Sequence, residues 1–331
     1  MHLSLRRPGR RRAIRIAAAA VLALALLAWW LLPRGDSRPS GDMTFATGVS
    51  KGVYARYGGL LKQQLNQDLP DLDVHLVNSE GSIDNMEKVA TGQADFAVAA
   101  ADAVAEYRLK KREGWRQLRA VARLYDDYIQ LVVPAGSDIR TAQDLAGKNV
   151  GVGTDKSGVQ LIASRLLKAA GLDMTTDVHA VRESITTMTG LLKDGDIDAF
   201  FWSGGLPTAT VNTLSEQMSI RLVPLNNLLG PLHDQSAYAH YYRSAVMSPD
   251  AYPKLADNKA VSTIAVANLL VTTTRADTEL TEAITREVIR SRDRIAGEVH
   301  AAQLVDLRTA IFTDPLDLHE GAQRYYRDEK P

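Results

Sequence analysis

One local pattern occurs twice in this chain, and any fold must account for both copies. Phe45-Ala-Thr-Gly-Val-Ser-Lys-Gly-Val-Tyr54 ends an apolar run in a Gly/Ser/Lys loop and opens a helical pattern; Gly151-Val-Gly-Thr-Asp-Lys-Ser-Gly-Val-Gln160 does the same. Thr47 to Gly52 and Gly153 to Gly158 are both steps of five residues. Each copy leads to a helix tail, a glycine and an aspartate heading an apolar strand, Gly92-Gln-Ala-Asp-Phe-Ala-Val-Ala99 and then Gly195-Asp-Ile-Asp-Ala-Phe-Phe-Trp202. The interval from loop glycine to aspartate is 43 residues in the first copy (Gly52 to Asp95) and 40 in the second (Gly158 to Asp198). The spacing predicts two α/β lobes of one plan, each with a helix N-terminus at the carboxyl end of its first strand, where open α/β sheets bind ligands. Two such ends facing one another enclose a cleft.

Length and charge narrow the class. At 331 residues with 45% apolar content the chain can build one large or two ordinary cores. Its formal net charge is zero, but Arg6, Arg7, Arg10, Arg11, Arg12 and Arg15 precede every acidic residue; without them 33 basic residues face 39 acidic ones. That balance argues against a nucleic-acid partner. The absence of cysteine excludes disulfides, thiolate metal sites and thiol nucleophiles.

The arginine block (1–15) reads as a cytoplasmic N-region. Ile16 to Leu32, 17 consecutive apolar residues, is a membrane-targeting segment at the short limit for a span. Arginines ahead of it hold the N-terminus in the cytoplasm and place everything after Leu32 outside. No small-x-small cleavage site follows, so the segment is read as an uncleaved anchor rather than a removed signal; Arg11-Arg12 leaves a twin-arginine signal as an alternative. Residues 33–42 are a polar tether.

Beyond the tether, periodicity predicts a strand at Met43 to Thr47, a helix at Val53 to Leu65 and a strand at Val74 to Val77. Ser82 is then expected to cap a helix running through Met86 and Val89. Arg119 to Leu124 and Ile129 to Val133 read as extended chain around Asp126-Asp127, Val261 to Thr274 as a long β-rich run and Thr278 to Ile295 as a helix. A first lobe ending near Asp126 holds too few strands, so the C-terminal strand and helices must return to complete it. Lobe one is therefore residues 43–127 with 262–331, and lobe two 128–261.

A strand that turns through glycines into a helix exposes consecutive backbone N–H groups and the positive end of the helix dipole, and hydroxyls add donors. Carboxylates are the natural guests. The candidate ligand groups are Thr47, Gly48, Ser50, Lys51 and Tyr54 in the first copy, Thr154, Lys156, Ser157 and Gly158 in the second. Ser82 and Asn85 at the next helix, Asp102 after the first lobe's strand, and Ser203 and Gly204 after the second's complete the set. Several carry a second reading: Ser82 as a cap alone, Tyr54 as core packing, the two lysines as solvated surface groups. Trp202 reads as core rather than pocket wall, and Asp95 and Asp198 as turn residues.

Gly48-Val-Ser-Lys-Gly52 also fits a nucleophile elbow, which would make Ser50 a hydrolase serine. Position argues against it, because an elbow follows several strands whereas Ser50 stands at the start of the folded part. The seven histidines show no ligand-like pairing, so no catalytic, metal or cofactor site is assigned.

From Met43 onward the chain resembles the TAXI-type solute-binding subunits of tripartite (TRAP) transporters, within the periplasmic binding-protein superfamily. The resemblance rests on Thr47-Gly-Val-Ser-Lys-Gly-Val-Tyr54, Glu80-Gly-Ser-Ile-Asp-Asn85, Gly92-Gln-Ala-Asp-Phe-Ala97 and Leu131-Val-Val-Pro-Ala-Gly-Ser-Asp138. It continues in Asp144-Leu-Ala-Gly-Lys-Asn-Val-Gly-Val-Gly153, Asp198-Ala-Phe-Phe-Trp-Ser-Gly-Gly205 and Ala267-Asn-Leu-Leu-Val-Thr272. Departures at Val49, Ser50, Lys51 and Val159 bear on ligand identity. The resemblance implies a type II-like, two-lobed α/β fold with a central cleft, preceded by the N-terminal anchor or signal helix. It further implies capture of a small carboxylate, an acidic amino acid or a 2-oxo-dicarboxylate, for TRAP membrane subunits. A membrane-tethered sensor for a signalling partner is the alternative. Either way the protein is expected to be extracytoplasmic, tethered by its N-terminal helix, with no enzymatic activity.

Overall fold

The computed structural model describes residues 39–50 and 52–329, together with Val21 and Ala23. The expected anchor, Ile16 to Leu32, otherwise lies outside the described residues, as do the arginine block, most of the tether and Lys51. Among the described residues no helix is long and apolar enough to cross a membrane.

The ten strands are β1 (Gly41–Gly48), β2 (Leu72–Asn78), β3 (Phe96–Ala100), β4 (Leu118–Pro134), β5 (Asn149–Gly151), β6 (His179–Val181), β7 (Ala199–Gly204), β8 (Ile220–Leu222), β9 (Tyr242–Met247) and β10 (Val261–Thr273). They hydrogen-bond in the order β2-β1-β3-β10-β4-β7-β5-β6, with β8 on β4 and β9 on β10. Pairing within β2-β1-β3 and within β6-β5-β7 is parallel, and the antiparallel pair β10 and β4 joins the two halves. The strand order thus reads alike from either end, as two lobes sharing two long central strands.

The repeated aspartates show why the halves match. The Asp95 carboxylate accepts the backbone N–H of Thr44 at 2.8 Å and its hydroxyl at 2.7 Å, fixing β1 against the entry to β3. The Asp198 carboxylate accepts the N–H of Asn149 at 2.8 Å, fixing β5 against β7 in the same way. The loops match one residue away from the alignment expected from sequence. Gly48 and Gly153 open the two turns with left-handed φ (+86° and +85°), Lys156 in the second loop being left-handed as well (φ 62°), and Gly52 and Ser157, four residues after the glycines, are the N-caps. Only glycine takes that conformation freely, so the turn glycine rather than the five-residue step defines the repeat.

Segments 119–124 and 129–133, read from sequence as separate, form one strand of 17 residues that passes from the first half of the sheet to the second. β10 does the same in the opposite direction. Position 127, the expected boundary, lies within β4, and 262 is the second residue of β10. Where the two strands cross between halves their register shifts: Ala267 pairs with Asp126 and Leu269 with Arg123, leaving Leu124 and Tyr125 opposite Asn268. Such a bulge re-aims side chains; next to it Asp127 lines the cleft, while Asp126 pairs with Arg123 and Arg243.

Helices α1 (Val53–Asp68), α2 (Ser82–Thr91), α3 (Ala101–Leu109), α4 (Gly158–Ala169) and α5 (Ile185–Asp194) follow β1, β2, β3, β5 and β6. One apolar core packs β1, β2 and β3 against α1 and the C-terminal helices Thr278–Arg290 and Glu320–Asp328, around Phe45, Tyr57, Leu61, Phe96 and Ile284. A second runs from α2 and α3 into the other half, around Val104, Leu131, Phe200 and Phe201.

Candidate functional site

Five helix N-termini converge on one cavity between the lobes. The residues immediately preceding α1 to α5 are Gly52, Gly81, Ala100, Ser157 and Ser184, and all five line it. This follows from topology: a parallel strand feeding a helix delivers that helix's N-terminus to the strand's carboxyl edge, and both halves present the same edge to the cleft. Each terminus brings unpaired backbone N–H groups and a partial positive charge.

The lobes already touch across this space. The Thr154 hydroxyl approaches the Glu80 carbonyl at 3.5 Å, and Lys156 forms an ion pair with Glu87 of α2 at 2.8 Å. A side chain at Gly81, where φ is +128°, would stand 3.3 Å from the Ser157 Cα. The space left is about 60 Å³.

A hydrogen-bond chain crosses the cavity floor. The Ser82 and Tyr54 hydroxyls meet at 3.1 Å, and Tyr54 donates to Asn268 Oδ1 at 2.5 Å. Asn268 Nδ2 donates to Asp127 Oδ1 at 2.7 Å, and the Ser203 hydroxyl reaches Asp127 Oδ2 at 3.4 Å. Asn268 comes from the bulge of β10 and is fully buried; Asp127, on β4, is 3% exposed. Burial pushes the Asp127 carboxyl up to about 7, against the lowering effect of Asn268 and Ser203. Burial also raises Tyr54 well above the ordinary phenol range, with the Asp127 charge adding to it.

Asp102 lies on the same wall in a different state. It accepts Arg165 Nη1 at 2.7 Å and the Tyr242 hydroxyl at 2.5 Å, while the other Arg165 nitrogen grips Glu106. Arg165 also stacks on the Tyr238 ring, 4.1 Å from its centroid. Burial disfavours the guanidinium charge, yet Tyr242 and Asp102 raise its pKa above the ordinary value. Asp102 is thereby compensated from behind, and among the described residues Asp127 has no cation as a hydrogen-bond partner.

The cavity wall holds Thr47, Gly48, Tyr54, Ser82, Asp102, Thr154, Ser157, Gly158, Ser203 and Gly204 of the residues expected from sequence. It does not hold Ser50, Asn85 or Lys156. Ser50 is exposed on its loop, and Lys156 points out to Glu87. Asn85 is fully buried behind the wall: its amide donates to the Val98 carbonyl at 2.7 Å and its oxygen accepts from Ser79 at 2.5 Å, bracing the loop before α2. Ser82 is not a cap, since Gly81 holds that position; its oxygen accepts the Ala100 N–H at 3.2 Å. Trp202 both packs in the core and lines the cavity, donating to Thr208 at 3.1 Å. Sequence reading missed Asp127, Asn268, Glu80, Glu183 and Ser184. For Asn268 a signal existed: it is a polar residue inside an otherwise apolar stretch of a β-run, Ile264 to Val271, a combination that burial tolerates only with a specific partner.

Among the described residues no lysine, arginine or histidine lines the cavity. An exposed cluster of Asp42, Asp73 and His75 lies at the opposite, amino ends of β1 and β2 and takes no part in it.

Architecture and cleft together define a two-lobed periplasmic-binding-protein fold. The chain belongs to the NMT1-like family, whose model matches residues 45–329. Among solved structures it is similar to the alkanesulfonate-binding protein SsuA from Xanthomonas axonopodis pv. citri bound to MOPS. That likeness has 16% identity over 89% of this chain and 86% of that one, with a TM-score of 0.50. A protein from Bordetella bronchiseptica RB50 is 18% identical over 88% and 90% of the two chains, with a TM-score of 0.51. At these identities the likeness shows the fold.

Proposed function

We propose that the protein is an extracytoplasmic solute-binding protein that closes lobe one (43–127 with 262–331) and lobe two (128–261) over a small carboxylate and presents it to TRAP-type membrane subunits. The observation that carries this reading is the convergence of five helix N-termini from both lobes on one cavity. Each terminus contributes roughly 0.3–1 kcal/mol toward a nearby anion, and up to about 2 where partly buried. Charge-assisted hydrogen bonds from the exposed N–H groups contribute about 1.5–3 kcal/mol each. A few of these reach the roughly −8 kcal/mol of a micromolar complex. The family's fold supports the reading, since a neighbour with it binds alkanesulfonates, also organic anions. TAXI-type transport is supported by the sequence motifs, and the basic and apolar N-terminus supports tethering outside the cytoplasmic membrane.

The hydrolase alternative loses its nucleophile, because Ser50 stands outside the cavity and no histidine lines that cavity among the described residues. A thermal-shift screen of the purified protein against carboxylates tests the proposal. A true solute at 100 times its dissociation constant stabilises by about 2.7 kcal/mol. A screen in which no carboxylate shifts the melting temperature overturns it.

A further inference from the structure

Resting on that reading, we infer that Asp127 receives a protonated amino group of the solute, so that the site selects amino-carboxylates over oxo- and hydroxy-carboxylates of the same skeleton.

Four acids line the cavity wall: Glu80, Asp102, Asp127 and Glu183. Glu80 and Glu183 are exposed at the mouth, where water screens them. Asp102 already has Arg165 and Tyr242 on one oxygen. Among the described residues, Asp127 alone is buried, on the wall and without a cation among its hydrogen-bond partners. An ionised carboxylate accepts about four hydrogen bonds. Asp127 has one of normal length from Asn268 and one at 3.4 Å from Ser203, with the Tyr54 hydroxyl also beside it, so it has capacity to accept more.

Among the described residues the surrounding elements supply no counter-charge. From α1 it is faced by Tyr54, from α3 by Asp102, from β10 by Asn268, from β7 by Ser203 and from its own strand by Tyr125. Arg123 and Arg243 are bound to Asp126, the adjacent residue on β4, and Arg165 to Asp102 and Glu106. Asn268 is itself fixed by Tyr54, which fixes the direction of its N–H group and with it the position of Oδ1. A charge buried in this way must find a partner or take up a proton. A solute ammonium is such a partner, and its carboxylate meets the helix N-termini around it. The two ends of a zwitterion match the two kinds of charge the cavity offers; a second oxygen in place of the amine would meet Asp127 as acceptor against acceptor unless a proton came with it.

Matched pairs test this: L-glutamate against 2-oxoglutarate, and L-valine against 2-oxoisovalerate, titrated calorimetrically in phosphate and in Tris so that the difference in heat counts protons. The expected result is that an amino member binds at least tenfold tighter than its oxo partner. Its binding releases about half a proton at pH 7, since free Asp127 is near half-protonated there. Its affinity falls as pH drops below 7. Asp127→Asn weakens the amino member roughly tenfold to a hundredfold, the range of a charged hydrogen bond, and removes the proton release. The proton count on the wild type stands whether or not that variant folds. An oxo member that binds as tightly, or an amino member that binds with proton uptake, overturns the inference and leaves the carboxylate reading standing. Binding of none of the four overturns this inference, while the wider screen above decides the carboxylate reading by itself.

Discussion

Asp127 and Asp102 are two carboxyls on one wall with opposite circumstances, and the difference is what lies behind each. Arg165 behind Asp102 makes a compensated ion pair; behind Asp127 stand an amide and a hydroxyl. A folded-state value raised to about 7 means the native state holds the proton more tightly than the unfolded chain, where an aspartyl titrates near 3.9. The resulting stabilisation is fully present below about pH 4 and lost as pH rises through about 7. Without solute, Asp127→Asn should therefore match the wild type near pH 4 and exceed it at pH 8, by about 4 kcal/mol. Urea unfolding at the two pH values measures this. A constant difference between the two proteins would mean that Asp127 titrates normally. None of this was readable from Asp126-Asp127 in the sequence, because which of two adjacent aspartates faces a cleft depends on the bulge opposite Asn268, a pairing across 141 residues.

The repeated loops and their strands were legible because they are local. A turn glycine, a helix behind it and an aspartate some forty residues on need only short-range geometry, and Asp95 and Asp198 take the turn roles expected of them. The short strands β6 and β9 were missed, having few residues and, in β9, little alternation to mark them. The unity of β4 was missed as well, since Asp126-Asp127 looked like a break; in the structure Asp126 is pinned by Arg123 and Arg243 and the strand runs on. Lys156 was over-read for the reason Ser50 was: a loop residue next to a helix N-terminus can point into the cleft or out of it, and sequence does not say which. The aspartate clamp gives a test at this level. Asp198→Ala removes the bond that fixes β5 against β7 and should cost about 1–2 kcal/mol in urea unfolding. An unchanged midpoint would show that the strand pairing needs no such clamp.

Closure depends on what crosses between the lobes. The exposed Lys156–Glu87 pair spans the cleft, but solvent-exposed pairs are weak and screened by salt. Lys156→Ala is expected to change the solute's dissociation constant by less than about fivefold, with the difference vanishing at high salt; a larger, salt-insensitive loss would put Lys156 among the ligand groups after all. The helix N-termini carry the main share. Hydrogen–deuterium exchange with and without the solute returned by the thermal-shift screen tests this most directly. The account predicts new protection in the first turns of all five helices, near residues 53–56, 82–85, 101–104, 158–161 and 185–188, with the outer helix Thr278–Arg290 unchanged. Protection confined to one lobe, or lying away from these turns, would contradict it.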